Sequence, residues 1–365
     1  MNGDLQETLI QEIRGLEQFF AAPPAFACEE YGLAQGTALD IKFGPDIESY
    51  FVRDGQNVFG QPWILKALNL ETMDKIEEYF LQPLRAQLIA ADVIDPDNDE
   101  GCDMDGNVVE TRFKPTDPLK QCTAYQSYAA ILRDHANQFG CDVFPGEGHW
   151  HFSVMQNSVS CLKKSLRDQT AKHVIDMQRA FPAFFVKPYL AESIESRRVY
   201  CGPRTFLAAD YETTSWTSSE YSLRFKKAAG QCLTIEPRLN LHAPYSPVYL
   251  NLLALHGALL GKKPGYSTRY FDSPAVLRGE GGYLSMLQTT ARNLKSGSAI
   301  PRQTAVAMFE NAVNGYASYL SSGFKEVTMS QSAIDQILMT AQNLVRDLQD
   351  AAQSPQKRGF PVFKF

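Results

Sequence analysis

Three short stretches of this chain each place two ionisable side chains two residues apart, inside runs that otherwise read as β-strands. They are Asp46 and Glu48 in FGPDIESYFV, His149 and His151 in GEGHWHFSV, and Glu236 and Arg238 in LTIEPRLNLH. Side chains at i and i+2 of a strand emerge on the same face. Each pair therefore points into a shared space, and an apolar core is a costly destination for such groups. The constraint is architectural: a sheet must turn one apolar face inward and gather carboxylates, imidazoles and guanidinium groups on the other. A concave polar face of that kind suits divalent cations and phosphate, so nucleotide-dependent chemistry is the first expectation.

At 365 residues, 44% hydrophobic and 21% charged, the chain suffices for one large or two modest soluble domains. A net charge of −6 leaves no excess of Lys and Arg to neutralise a nucleic-acid backbone, which argues against a general nucleic-acid binder. The opening MNGDLQETLIQEIRGLEQFF has neither a basic region nor an apolar run of the signal-peptide kind, and no stretch approaches a membrane span. The cysteines at 28, 102, 122, 141, 161, 201 and 232 are odd in number and lack CxxC spacing. Reduced thiols and a cytoplasmic location are expected.

Apolar spacing predicts a leading helix over 5–20, stopped by Pro23-Pro24. Strands are expected in ALDIKF, IESYFVRDG and NVFGQPWI across 38–65, with a turn at Asp54-Gly55. Helical patterns cover 69–91, 117–138, 158–180 and 246–260, the last opened by Pro247. GNVVETRF and GHWHFSVM read as strands, and most of the remainder reads as helix. Strands come in hairpin-like groups rather than strict βαβ units, so an α+β fold with a mostly antiparallel sheet is expected. His135 and His173 sit on polar helical stretches and are given no role, and Asp95, Asp97 and Asp99 fail the spacing of a calcium loop.

In order along the chain, these words resemble the motif series of the glutamine synthetase superfamily. GPDIESYFV is similar to that family's first metal-binding strand, and GEGHWHFSV to its His-x-His strand. DMQRAFPAFFVKPYLAESIESRRV is similar to the segment leading to an arginine-bearing word. WTSSEYSLRF is similar to the nucleotide strand ending in Arg, IEPRLNLHAPYSPVYL to the Glu-x-Arg strand and following helix, and SAIPRQTAVAMFENA to a stretch near the family's C-terminus. The matches span residues 43 to about 313, and the divergence looks closest to the phage-associated COOH·NH2 ligases (type 2). The chain departs from the pattern where Asp46 replaces the usual Glu and Ser218-Ser219 stand near the family's Asn-Arg.

The resemblance implies a glutamine-synthetase-like catalytic domain over 36–325, a curved antiparallel sheet flanked by helices. Residues 1–35 would form an N-terminal helix and linker, and 326–365 a C-terminal helix and tail. It implies an ATP-dependent ligase that joins a carboxylate substrate to an amine donor through an acyl phosphate, with two or three Mg2+ or Mn2+ ions. It also implies a possible homo-oligomer and, for a phage-encoded protein, residence in the host cytoplasm. By motif position, Glu48 and Glu110 with Asp103 or Asp105 would hold one ion, and Asp46, His149 and Glu236 a second. His151, with Ser153 on the same strand, would face the nucleotide. Arg198, Arg224 and Arg238 would grip phosphate, with Glu236 beside the reacting groups.

Read residue by residue, alternatives stay open. Glu236 and Arg238 also suit a structural ion pair, and Asp103, Asp105 and Glu110 an acidic surface turn. A phosphotransferase acting on a guanidino group, a di-metal hydrolase and an inactive binding module are the rival functions. The massed carboxylates are expected to repel one another and raise several of their pKa values in the metal-free protein.

Overall fold

The computed structural model describes residues 3–54, 56–98, 101–180, 187–190, 198–202, 223–228, 231–237, 245–260 and 300–301. Along the chain these form α1 (Gly3–Ala21), α2 (Ala25–Tyr31), β1 (Asp40–Arg53), β2 (Gln56–Asn57), α3 (Pro62–Ala67), α4 (Met73–Ile76) and α5 (Gln82–Ala90). There follow β3 (Cys102–Asp105), β4 (Val108–Arg112), α6 (Pro118–Gln138), β5 (Asp142–Gln156), β6 (Val159–Ser160) and α7 (Lys164–Ala180). Then come β7 (Lys187–Leu190), β8 (Arg198–Gly202), β9 (Leu223–Ala228), β10 (Gln231–Pro237), α8 (Tyr245–Leu260) and β11 (Ile300–Pro301).

β1 alternates along its length. Ile41, Phe43, Ile47, Ser49 and Phe51 are buried, while Lys42, Gly44, Asp46, Glu48 and Tyr50 are half-buried on the opposite face. β5 repeats the division, with Trp150, Phe152 and Val154 in the core and His149, His151 and Ser153 on the other side. The two long strands pair antiparallel from Asp40↔Met155 to Val52↔Asp142, which brings Phe43 and Phe152 into a stack at 5.5 Å. Burying rings of this size contributes about 1.5–3 kcal/mol each before entropy is charged against it. The main sheet runs β3-β4-β1-β5-β10-β9, antiparallel throughout, with β2 on β1 and β6 on β5; β11, β8 and β7 form a second small sheet.

Helices cover the apolar face. α6 packs on β1 and β5, where Ser49 and Tyr128 share a buried hydrogen bond of 2.6 Å. α8 is buried from Val248 to Leu259, as its largely apolar sequence requires, and carries Asn251 and His256 into the interior with it. α7 and α8 approach closely at Gly257, where a Cβ would sit 3.6 Å from the His173 ring.

The mostly antiparallel α+β architecture and the helices at 3–21, 118–138 and 245–260 follow the sequence expectation. The stretch NVFGQPWI does not. Asn57 ends a two-residue strand and accepts from Phe59 N, capping a 3-10 turn, and Pro62 opens α3. Proline suits a first helical turn, whose N–H groups lack partners in any case. His135 and His173, on helical stretches that read as polar, are 0% and 1% exposed. His135 packs edge-on against Phe51 and Phe80, with Phe139 tilted beside it. The domain boundary expected at 325/326 lies outside the described residues.

Candidate metal and phosphate site

Register assembles the site. On β1, Asp46 stands opposite Arg112 of β4 on one side and His149 of β5 on the other. Glu48 stands opposite Glu110, and Glu110 in turn opposite Asp103 on β3. The ladder between β1 and β5 shifts between Ile47 and Ser49, beside Glu48. A bulge of this sort re-aims a side chain and is common beside active sites. On the far side, Ile235↔Phe152 joins β10 to β5 in the core, which turns Glu236 to the polar face. Glu236 pairs with Arg224, and Thr234 with Lys226, on β9.

The side chains converge. His149 Nδ1 lies 3.3 Å from Glu236 Oε1, and His151 Nδ1 3.9 Å from Glu236 Oε2. His151 Nε2 lies 3.0 Å from Asp46 Oδ2. Arg224 Nε stands 4.0 Å from Glu236 Oε2, a carboxylate only 1% exposed. Burial would raise the Asp46 carboxyl, but the His151 ring and the Lys226 ammonium outweigh it and hold Asp46 well below the usual carboxylate range. Glu110 moves the other way: burial raises it, assisted by Asp46 and Asp105 and opposed by Arg112, which donates to it at 2.6 Å. The expected general rise of the carboxylates therefore holds for Glu110 and fails for Asp46, because the His151 ring and, after it, the Lys226 ammonium counter that charge.

His149, His151 and Glu236 each offer a ligand atom, and all three atoms lie within 4.8 Å of one another. That donor set fits one divalent ion. Two imidazoles beside a single carboxylate shift the preference from Mg2+ towards Mn2+ and its softer neighbours. Asp46, hydrogen-bonding the nitrogen of His151 that faces away from Glu236, stands where an outer carboxylate orients a histidine ligand.

The remaining expected residues are placed as follows. Asp103, Glu110 and Glu48 form a row across three adjacent strands, and Asp103 also lies 3.8 Å from Arg85 of α5. Asp105 is exposed at the end of β3. Ser153 is half-buried on the polar face, two residues beyond His151 and opposite Lys42. Arg198 belongs to β8 of the small sheet, opposite Pro301, and Arg238 lies outside the described residues. Cys102 is fully buried, and chiefly that burial pushes its thiol up to about 12, the setting of a structural thiol.

Lys226 was not anticipated. Its ammonium lies 3.2 Å from Asp46 Oδ2 and 3.5 Å from His151 Nε2. The same period-two rule that singles out Glu236 and Arg238, applied to LRFKKA, puts Lys226 on one face with Arg224. No recognised motif draws attention to it.

No protein-family model matches the chain, and no curated protein matches it in sequence. Among solved structures, one described as a novel glutamine synthase homolog superposes with a TM-score of 0.51 at 13% identity, covering 94% of this chain and 73% of the other. GmaS in complex with ADP gives a TM-score of 0.48 at 11% identity, covering 93% of this chain and 74% of the other. Identity this low speaks to architecture alone: the chain has a glutamine-synthetase-like α+β fold, an antiparallel sheet flanked by helices.

Proposed function

We propose that this chain is an ATP-dependent carbon–nitrogen ligase, joining a carboxylate substrate to an amine donor through an acyl phosphate, with Mg2+ or Mn2+ in its site. The observation that carries the reading is the convergence of His149 and His151 from β5, Glu236 from β10, Asp46 from β1 and Arg224 from β9 on one polar face. The order of the sequence words and the glutamine-synthetase-like fold support it as analogy.

A carboxylate is a poor acceptor of an amine until one oxygen becomes a leaving group. Transfer of the γ-phosphoryl group supplies that leaving group, and charge accumulates on the phosphoryl oxygens as the bond to ADP breaks. Bound divalent ions offset this charge and align the reacting oxygens. His149, His151 and Glu236 would hold one ion, with Asp46 fixing the His151 ring. Glu48, Glu110 and Asp103, aligned across β1, β4 and β3, would serve a second. Arg224 presents its guanidinium beside Glu236, where a planar fork matches phosphate oxygens, and Arg198 and Arg238 would complete the grip. The amine then displaces phosphate from the acyl carbon and loses a proton to leave the amide.

A hydrolase on the same ligands would consume neither ATP nor an amine. The test is ADP release with ATP, Mn2+ and a panel of amino acids and amines. The reading expects release that needs both a carboxylate and an amine, and that Glu236→Gln abolishes. ATP-independent cleavage, or failure to bind ATP by calorimetry, would remove it.

A further inference from the structure

Lys226 makes a contact that the flat geometry of a sheet forbids. It sits on β9, while its partner Asp46 sits on β1, with β10 and β5 between them. Three steps of about 4.8 Å would separate those strands by about 14 Å in a flat sheet, beyond the combined reach of a lysine and an aspartate. The main sheet therefore curves enough for its polar face to close on itself, and Lys226 spans the concavity. Its ammonium lies beside the contacting pair of Asp46 Oδ2 and His151 Nε2, 3.2 Å from the first and 3.5 Å from the second.

We propose that Lys226 is a tethered cation that occupies the Asp46 side of this cluster and so confines divalent-ion binding there to the Glu236 side. This rests on the reading of His149, His151 and Glu236 as ligands of a divalent ion. With the ammonium in place, the carboxylate of Asp46 is already countered. A second ion at that carboxylate would stand against the ammonium of a half-exposed but contacting lysine at nearly contact distance. Coulomb repulsion between close charges in a partly desolvated site is large enough to decide occupancy. Asp46 then acts as a positioning residue through the His151 ring rather than as a ligand. The arrangement gives the cluster of His149, His151, Glu236 and Asp46 one ion where a cluster without the lysine would accept two, and leaves the row of Glu48, Glu110 and Asp103 untouched. It also keeps the cluster preformed, since the histidine and the aspartate are held before any ion arrives.

The experiment is a Mn2+ titration of the full chain followed by electron paramagnetic resonance of the unbound ion, which counts bound Mn2+ without any turnover. Lys226→Met should bind one Mn2+ per chain more than the parent. Lys226→Arg should match the parent, and adding Asp46→Asn to Lys226→Met should remove the gain. In the parent background, Asp46→Asn should leave the number of bound ions unchanged, so a Lys226→Met protein that fails to fold still leaves a decisive measurement. Equal Mn2+ counts for the parent and Lys226→Met, or loss of an ion on Asp46→Asn alone, overturns the role of Lys226 and spares the ligand cluster. Absence of bound Mn2+ from parent and variants alike overturns the ligand cluster and this inference with it.

Discussion

Glu236 is the residue on which the site's electrostatics turn. It is 1% exposed, it meets both imidazoles, and Arg224 approaches it from the next strand. Glu236→Gln keeps the shape and removes the charge. Mn2+ affinity should fall by at least about tenfold, since even partners behind the ligands contribute that much. A Mn2+ titration that returns parental affinity would take Glu236 out of the ligand set. His135 offers an independent test of burial. Its surroundings push its pKa down to about 4, and burial does the same to His256, also to about 4. The unfolded chain therefore binds more protons than the folded one between about pH 6.5 and pH 4. Stability is complete above that window and drains as the pH falls through it, by up to about 2 kcal/mol per histidine between pH 7 and 5. The depressed carboxyl of Asp46 contributes above its ordinary range and is lost only below about pH 4, so the effects are separable. His135→Leu should roughly halve the drop in urea midpoint between pH 7 and 5; an unchanged drop would mean the imidazole titrates normally.

At the scale of elements, most of β1 and the second half of β5 are legible because residues 40–51 and 149–154 largely alternate between the two faces, and alternation is what a half-buried strand requires; that 38–43 and 47–53 join into one strand, and that β5 begins at Asp142, is not. The i, i+2 pairs carry the faces with them, so Asp46, His149, His151 and Glu236 stand out without any knowledge of strand pairing. What could not be read was which strands lie side by side. The closeness of His151 to Glu236 depends on Ile235↔Phe152, a contact between core residues that leaves no mark on either polar stretch. The same gap hid Lys226, whose partner is 180 residues away. Residues 57–64 read as a strand from sequence because the β-branched and aromatic residues there mask helix-start chemistry at Asn57 and Pro62. One position shows how tightly these elements are fitted. Gly44 of β1, opposite His151, runs beneath the segment after β4, and a Cβ there would meet Pro115 Cγ at 3.2 Å and Phe113 O at 3.3 Å. Gly44→Val has to displace backbone, and overpacking of this kind typically costs about 1–3 kcal/mol. The denaturation midpoint should drop accordingly, and Mn2+ binding should weaken because β1 carries Asp46. A variant of parental stability would show that the 113–116 segment yields freely.

On the scale of the whole molecule, the sheet has a seam. β1 and β5 share a long ladder and β1 and β4 a short one from Asp46↔Arg112 to Ser49↔Val109, whereas β10 joins β5 through Ile235↔Phe152 in the core. Across that seam the polar face adds a second connection, with His149 and His151 on one side and Glu236 on the other, and Lys226 reaching from β9 to β1. An ion held by these three ligands would therefore fasten β9 and β10 to the rest of the fold as well as prepare the site. Binding to the native state alone raises stability by about 2.7 kcal/mol at a hundredfold excess over Kd. Where that stabilisation appears depends on which opening the ion prevents, because proteins open in local units of unequal stability. Mn2+ should slow amide hydrogen exchange most in β9 and β10, while amides of α6, packed on the opposite face, change only as far as they exchange by global unfolding. A chelator should restore the original pattern and lower the melting temperature. If added Mn2+ protects α6 and β10 equally, the ion stabilises the fold without bridging the seam; if it protects neither, His149, His151 and Glu236 do not form its site.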